Sequence, residues 1–206
     1  PAIALDRDNT LMVSWRNGER SLLFSTWPLT NVPLQMPSGC LPTGNGLIVS
    51  GPKLDGGDGG FSLVYEQTGA IYLTTYTAGR WSSPPELVGQ GSVPDIFVDP
   101  QGQNHLAWCG PDQSLTYWNG AGPAEQIPFP RCIGPPGLTQ SQNGFLRLVW
   151  YTDQVQNMAG VIQPNSLIYE TFKTERGWSK PAIIAQAAGS TQLALAPTGN
   201  GSLHLA

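Results

Sequence analysis

Four aromatic residues close strands of one design along this chain: Trp15, Tyr65, Trp108 and Trp150, spaced 50, 43 and 42 residues apart. Six positions before three of them stand Gly59, Gly102 and Gly144, whereas the first unit carries Asn9 there. Gly201 lies six positions before whatever residue would follow Ala206. The clearest copy is Asp99-Pro-Gln-Gly-Gln-Asn-His-Leu-Ala-Trp108, in which an apolar strand ends at Val98, a polar turn passes through Gly102, and an alternating strand closes on Trp108. That pattern is a tight β-hairpin. A chain that repeats one hairpin at intervals of about 40 residues buries the same face each time by stacking like units against one another.

Each unit extends the hairpin to four short strands. In the first, Ala2–Leu5, Leu11–Trp15, Ser21–Trp27 and Val32–Met36 are the expected strands. In the third they are Pro94–Val98, Asn104–Trp108, Ser114–Trp118 and Ala124–Pro128. Four antiparallel strands in about 40 residues make a propeller blade. The expected fold is therefore all-β, a β-propeller of four-stranded antiparallel blades with about four and a half blades present, as part of a larger, six-bladed or similar ring. The units run approximately over 1–38, 39–90, 91–133, 134–188 and an incomplete 189–206, together one domain or a fragment of one. The opening of the second unit stays open in register, because Leu41–Gly51 echoes Ala196–Ala206 yet comes too soon before Tyr65. An insertion over 152–165 is expected as a surface loop in the fourth unit. The chain begins without Met and breaks off in mid-pattern, so it reads as a processed protein or an excised segment.

Composition supports an ordered, turn-rich β chain. The 25 Gly and 19 Pro sit between apolar alternating runs, hydrophobic residues reach 40%, and only 12% are charged. A net charge of -4 with no Lys or Arg run gives no footprint for nucleic acid. No apolar run approaches the roughly 18 to 20 residues that span a bilayer, so no membrane insertion is expected. The three cysteines, Cys40, Cys109 and Cys132, lack metal-ligand spacing. Two readings stay open for Cys109 and Cys132, which flank one unit: a disulfide, or small buried thiols.

Gly79-Arg-Trp-Ser-Ser-Pro84 and Gly177-Trp-Ser-Lys-Pro181, each following a Tyr-containing third strand, join Asp99–Trp108 in a pattern that resembles the repeat of the sialidase-like β-propellers. The resemblance covers nearly the whole chain through short motifs. It implies blades around a central axis, first strands innermost, and a ligand at one mouth of the ring. The group includes glycosidases, sugar-binding lectins and extracytoplasmic proteins, which makes an extracytoplasmic or secreted location the expectation. Two departures set this chain apart: the Ser-x-Asp-x-Gly-x-x-Trp box is absent from every unit, and its arginines occupy different offsets within the units.

The acids show no pairing in sequence that would mark glycoside hydrolysis, which needs two carboxyls roughly 5 to 10 Å apart. Asp95 opens an innermost strand, where a propeller mouth is lined, while Glu66 and Asp153 follow second strands. His105 and His204 fall at corresponding places in second strands, which points to a repeat role. Asp55-Gly-Gly-Asp-Gly-Gly60 offers Asp55 and Asp58 as weak metal candidates, short of the six to eight oxygens calcium prefers. Aromatic faces suit sugar rings and partner side chains. Trp15, Trp108, Trp150, Trp81 and Trp178 are expected between blades, which leaves Trp27, Trp118 and Tyr151, with Asp95, as the ligand-binding candidates. The function expected is a non-enzymatic binding module presenting loops to a glycan or protein partner, without cofactor. Its alternatives are part of a sialidase-like glycosidase or lyase with catalytic residues outside this segment, and a structural accessory domain of a larger chain that supplies further blades.

Overall fold

The computed structural model describes residues 1–29, 38–128, 131–141, 143–158, 161–188, 195–197 and 203–205, with the backbone alone described over 153–158, 161–165, 187–188, 196–197 and 203–205. The described residues form strands and no helix. Blade I orders β1 (Ala2–Leu5), β2 (Thr10–Asn17), β3 (Ser21–Pro28) and β4 (Ser38–Cys40) as an antiparallel meander. The strand expected at 32–36 lies outside the described residues. Blade II contains β5 (Ile48–Gly57), β6 (Gly60–Gln67), β7 (Ala70–Thr77), and an outer strand in two pieces, β8 (Arg80–Trp81) and β9 (Glu86–Gln90), both paired with β7. Blade III is β10 (Ser92–Val98), β11 (Asn104–Cys109), β12 (Leu115–Trp118) and β13 (Glu125–Ile127). Blade IV contains β14 (Gly137–Gln140), β15 (Leu146–Met158), β16 (Val161–Thr174), and a second split outer strand, β17 (Gly177–Trp178) and β18 (Ala182–Ala188). The hairpin β19 (Leu195–Pro197) and β20 (Leu203–Leu205) follows. β1 packs against β5, β5 against β10, β10 against β14 and β14 against β19, so the first strands stand side by side around an axis. The fold is an all-β propeller.

The turns obey local chemistry. Asp6 Oδ1 accepts hydrogen bonds from the N–H groups of Asp8 (3.0 Å) and Thr10 (2.7 Å), and Asp99 Oδ1 accepts them from Gln101 (2.9 Å) and Gln103 (2.8 Å). A carboxylate that caps the backbone two and four residues on closes the hairpin turn with local contacts alone. Asn9 sits at φ 58, where Gly59, Gly102 and Gly144 adopt 71, 81 and 79. Asn is among the few residues that tolerate this left-handed region, which explains why unit one departs from glycine there.

The split outer strands share a hydroxyl clasp. Thr74 Oγ1 donates to the carbonyl of Ser82 (3.1 Å), whose Oγ in turn accepts from the N–H of Thr75 (3.0 Å). In blade IV the same bonds join Thr171 to Ser179 (2.7 Å) and Ser179 to the N–H of Phe172 (3.1 Å). These are the serines of the two Trp-Ser-x-Pro motifs. The hydroxyls satisfy backbone groups where the following prolines interrupt the ladder.

The column aromatics wedge the blades together. Tyr65 packs with Leu22, Leu41 and Ile48, Trp108 with Val64, Ile71 and Leu73, and Trp150 with Ala107, Leu115 and Tyr117, each set drawing on the preceding blade or its connection. Trp108 also donates its Nε1–H to the carbonyl of Gln90 at 2.9 Å. A Cβ at Gly89 or Gly91 would lie 2.7 or 2.5 Å from that indole, so the outer edge of blade II accepts the ring only because both residues are glycine. Trp81 meets Phe24 of blade I, and Trp178 meets Tyr117 of blade III, edge to face. Trp15 is half-buried. Cys109 and Cys132 form a disulfide that ties the end of β11 to the approach to β14, and Cys40 is exposed and free.

Two expectations change. Residues 152–165 are not an irregular loop: the β15–β16 ladder continues through Thr152↔Leu167 to Met158↔Val161. Alternating partners satisfy the backbone of a long hairpin where a loop would leave it to solvent. In the second unit the opening strand is β5, and its pairing with β6 shifts register between Ile48 and Ser50 and between Ser50 and Lys53, which is why simple spacing left it ambiguous.

Replacing Trp108 by Ala is expected to lower unfolding free energy by about 3 to 5 kcal/mol in urea titration. Trp15→Ala, at a half-buried copy of the position, is expected to cost less than half as much; equal losses would mean that the wedge is not what the column shares.

Candidate functional site

The first strands of all five units line one cavity of about 650 Å³ on the axis. Pro1 to Ile3 come from blade I, Lys53 to Asp55 from blade II, Asp95 to Phe97 from blade III, Gly137 to Thr139 from blade IV, and Leu195 from the last hairpin. Its polar side chains are held by the neighbouring blade. Asp55 Oδ2 accepts the N–H of Val98 at 2.7 Å, and its Oδ1 accepts that of Gly56 at 2.9 Å. Asp95 Oδ2 accepts the N–H of Leu138 at 2.9 Å, and Lys53 Nζ stands 3.6 Å from its Oδ1. Each aspartate thus joins its own blade to the next and gives a charged edge to the axial space.

Burial raises the pKa of both carboxyls. For Asp55 desolvation outweighs the bonds from Val98 and Gly56, and the charge of Asp95 pushes in the same direction. For Asp95 desolvation outweighs the attraction of Lys53 and the bond from Leu138. Asp99, outside the cavity, moves the other way. Desolvation is its largest influence and raises it, but the N–H of Gln103, His105 and the N–H of Gln101 together hold it below the ordinary range.

Asp99 belongs to a chain of side chains inside blade III. His105 Nε2 lies 3.2 Å from Asp99 Oδ2, and His105 Nδ1 lies 2.7 Å from the Tyr117 hydroxyl. A carboxylate only accepts, so Nε2 carries a proton toward Asp99, while Nδ1 and the Tyr117 hydroxyl share a bond that either can donate. The imidazole lies between the rings of Phe97 and Tyr117, both stacked on it at 6.1 Å.

Of the residues singled out in sequence, Asp95 lines the axial cavity and the aromatics lie elsewhere. Trp118 is buried, donates Nε1–H to the Gly122 carbonyl at 2.9 Å, and borders a groove of about 310 Å³ between blades II and III. Tyr151 is buried with Val149 and Ile168 in the core of blade IV. Trp27 is half-buried in blade I, paired across the ladder with Leu11. Asp55 and Asp58 part company: Asp55 turns into β10, while Asp58 accepts from Arg7 at 2.8 Å on the surface. Among the described residues no group of three or more His, Cys, Asp or Glu is placed to hold a metal ion. The side chains of Asp153 and His204 lie outside the described residues.

Lys53, Phe97 and Thr139 were not singled out in sequence. Lys53 pairs with Val64, the residue before Tyr65, as Asp95 pairs with Ala107, the residue before Trp108, so Lys53 holds in blade II the place that Asp95 holds in blade III.

No protein-family model matches the sequence, and no curated protein matches it. Among solved structures the chain is similar to an arginine-to-alanine triple mutant of AofleA from Arthrobotrys oligospora, with a TM-score of 0.60 and 12% identity over 97% of this chain and 61% of that one. It is also similar to an endo-arabinase from Bacteroides thetaiotaomicron VPI-5482, with a TM-score of 0.48 and 11% identity over 100% of this chain and 87% of that one. At such identities the likeness is one of fold. The chain spans about three-fifths of the length of the first of these structures.

Side-chain carboxyl titration by NMR is expected to place the Asp55 and Asp95 midpoints above the free-aspartate value of 3.8 and that of Asp99 below it. The linkage signs follow: stability from Asp55 and Asp95 is full below the unfolded pKa and is lost as pH rises through the folded one, whereas that from Asp99 is lost as pH falls. Midpoints of all three at 3.8 would contradict this electrostatic picture.

Proposed function

We propose that the chain is a non-enzymatic binding module whose axial cavity takes a hydroxyl-rich ligand, a glycan. The observation that carries this reading is the mixed lining of that cavity: Lys53 as donor, Asp55 and Asp95 as acceptors and Thr139 as either, beside Phe97 and Ile3. Sugars present hydroxyls at the ring edge and C–H surface on the ring faces, and such a lining answers both. At about 650 Å³ the cavity falls within the size of ordinary ligand sites. The carboxylate oxygens already hold backbone N–H groups or Lys53, an arrangement that fixes acceptors in place better than it exchanges protons with a substrate. The sialidase-like resemblance supports a glycan over a protein partner. The disulfide supports an extracytoplasmic location, and the remaining blades of a larger ring are the proposed covalent neighbours.

A second reading, part of a glycosidase, is favoured by one observation: two carboxyls with raised pKa border the same cavity. A raised pKa keeps a carboxyl protonated long enough to act as an acid.

A glycan array followed by calorimetry on the best binder tests both. Asp95→Asn and Thr139→Val are each expected to weaken binding about tenfold, with no release of reducing sugar by the wild type. Undiminished binding by both variants would remove the axial site, and turnover that disappears in Asp55→Asn would establish the glycosidase instead.

A further inference from the structure

A second cavity, of about 380 Å³, opens away from the axis, where the β6–β7 and β11–β12 turns meet the lead-ins to β10 and β14. Its walls are mostly backbone, with Gly69, Gly91 and Gly110 among them, and the Cys109–Cys132 bridge forms one side. Glu66 borders it, only 4% exposed. One oxygen of that carboxylate is committed: Oε2 accepts from the Ser50 hydroxyl at 2.6 Å and from the N–H of Val93 at 3.2 Å. Among the described residues Oε1 meets no such donor, and no Lys, Arg or His stands within ion-pair distance of Glu66. Burying a carboxylate without a counter-charge is costly, and such groups are ordinarily paired.

Four backbone donors of the surrounding wall are turned elsewhere. The N–H groups of Gly91, Gly110, Gln113 and Cys132 are spent on the carbonyls of Gly69, Ser114, Gly110 and Gln113. Gln113 adds another acceptor, since its side-chain Oε1 is buried without a partner at the same cavity. With the Ser92 hydroxyl and the Gln113 amide as its other polar side chains, the cavity borders a negative charge that meets no cation among the described residues, and its chemical complement is a compact group with several N–H donors and a positive charge. The Lys53–Asp95 pair shows the contrast on the axis, where the chain provides its own cation.

We infer that this inter-blade cavity is a binding site for a primary ammonium group, with the Glu66 carboxylate as its counter-ion and Gln113 as a neutral acceptor. The group can come from an amino sugar or from a lysine side chain. The site is separate from the axial cavity and does not depend on what binds there.

The test is a titration of the whole chain with glucosamine and with Nα-acetyl-lysine methylamide, each against its N-acetylated neutral counterpart, followed by amide NMR shifts at Gly69, Gly91 and Gly110. Binding of one or both ammonium probes is expected, at least tenfold tighter than the neutral counterpart. Preference between the two identifies the source. Glu66→Gln keeps an acceptor for Ser50 and Val93 and is expected to lose about tenfold or more in affinity for the ammonium probe. Gln113→Asn, which suits the φ of 63 at that turn but shortens the reach, is expected to lose several-fold. Equal affinity for charged and acetylated probes, no binding by the wild type, or undiminished binding by a folded Glu66→Gln would overturn the inference. Should Glu66→Gln fail to fold, the wild-type comparison and Gln113→Asn decide.

Discussion

The structure depends on the insertion of one aromatic side chain from each of blades II, III and IV into the seam with the blade before it. A four-stranded sheet of this size has two faces and too little mass to cover either alone. Tyr65, Trp108 and Trp150 resolve this by filling the space between sheets, and glycines on the receiving edge, Gly89 and Gly91 most plainly, keep that space open. Around this packing the polar contacts add direction. Asp55 reaches the backbone of Val98 and Asp95 that of Leu138, so neighbouring inner strands are fixed in height by a carboxylate on each. The axial cavity exists because these strands are held apart at one spacing, and its charge is that of the residues which hold them.

Much of this is legible in the sequence because the repeat is a local pattern. Asp99, Gly102 and Trp108 announce a turn and a wedge through the properties of single residues, and Trp81 and Trp178 announce the outer strands. What escapes is whatever depends on departure from the repeat. The start of β5 is concealed by two register shifts between Ile48 and Lys53, which break the spacing in a way that no periodicity reports. The extension of β15 and β16 looks like an insertion because its length breaks the unit, although its backbone simply continues the ladder.

Trp118 shows the limit most clearly. Its place outside the aromatic column makes it a natural choice for an exposed ring, yet it is buried. In blades II and IV the corresponding position, judged from the strand pairing, is held by Thr74 and Thr171, which clasp the serine of the split outer strand. Blade III has no Trp-Ser-x-Pro sequence and an unbroken β13, so the hydroxyl clasp has nothing to hold and an indole fills the site, tied back to Gly122. A substitution that looks functional in one dimension is the packing solution of a blade built slightly differently. Glu66 is the reverse case, an ordinary strand-end acid in sequence whose lack of a counter-charge appears only when the neighbouring turns are assembled around it.

Every seam described above joins a unit to the one that directly follows or precedes it in the chain. Trp108, Asp55 and Asp95 find their partners within a single unit's distance, and the disulfide spans 23 residues. Such an array can be assembled as it leaves the ribosome, each blade docking on a finished neighbour before the next is made. The same locality makes the architecture open to growth by gene duplication, since a copied unit would carry both halves of the seams it needs.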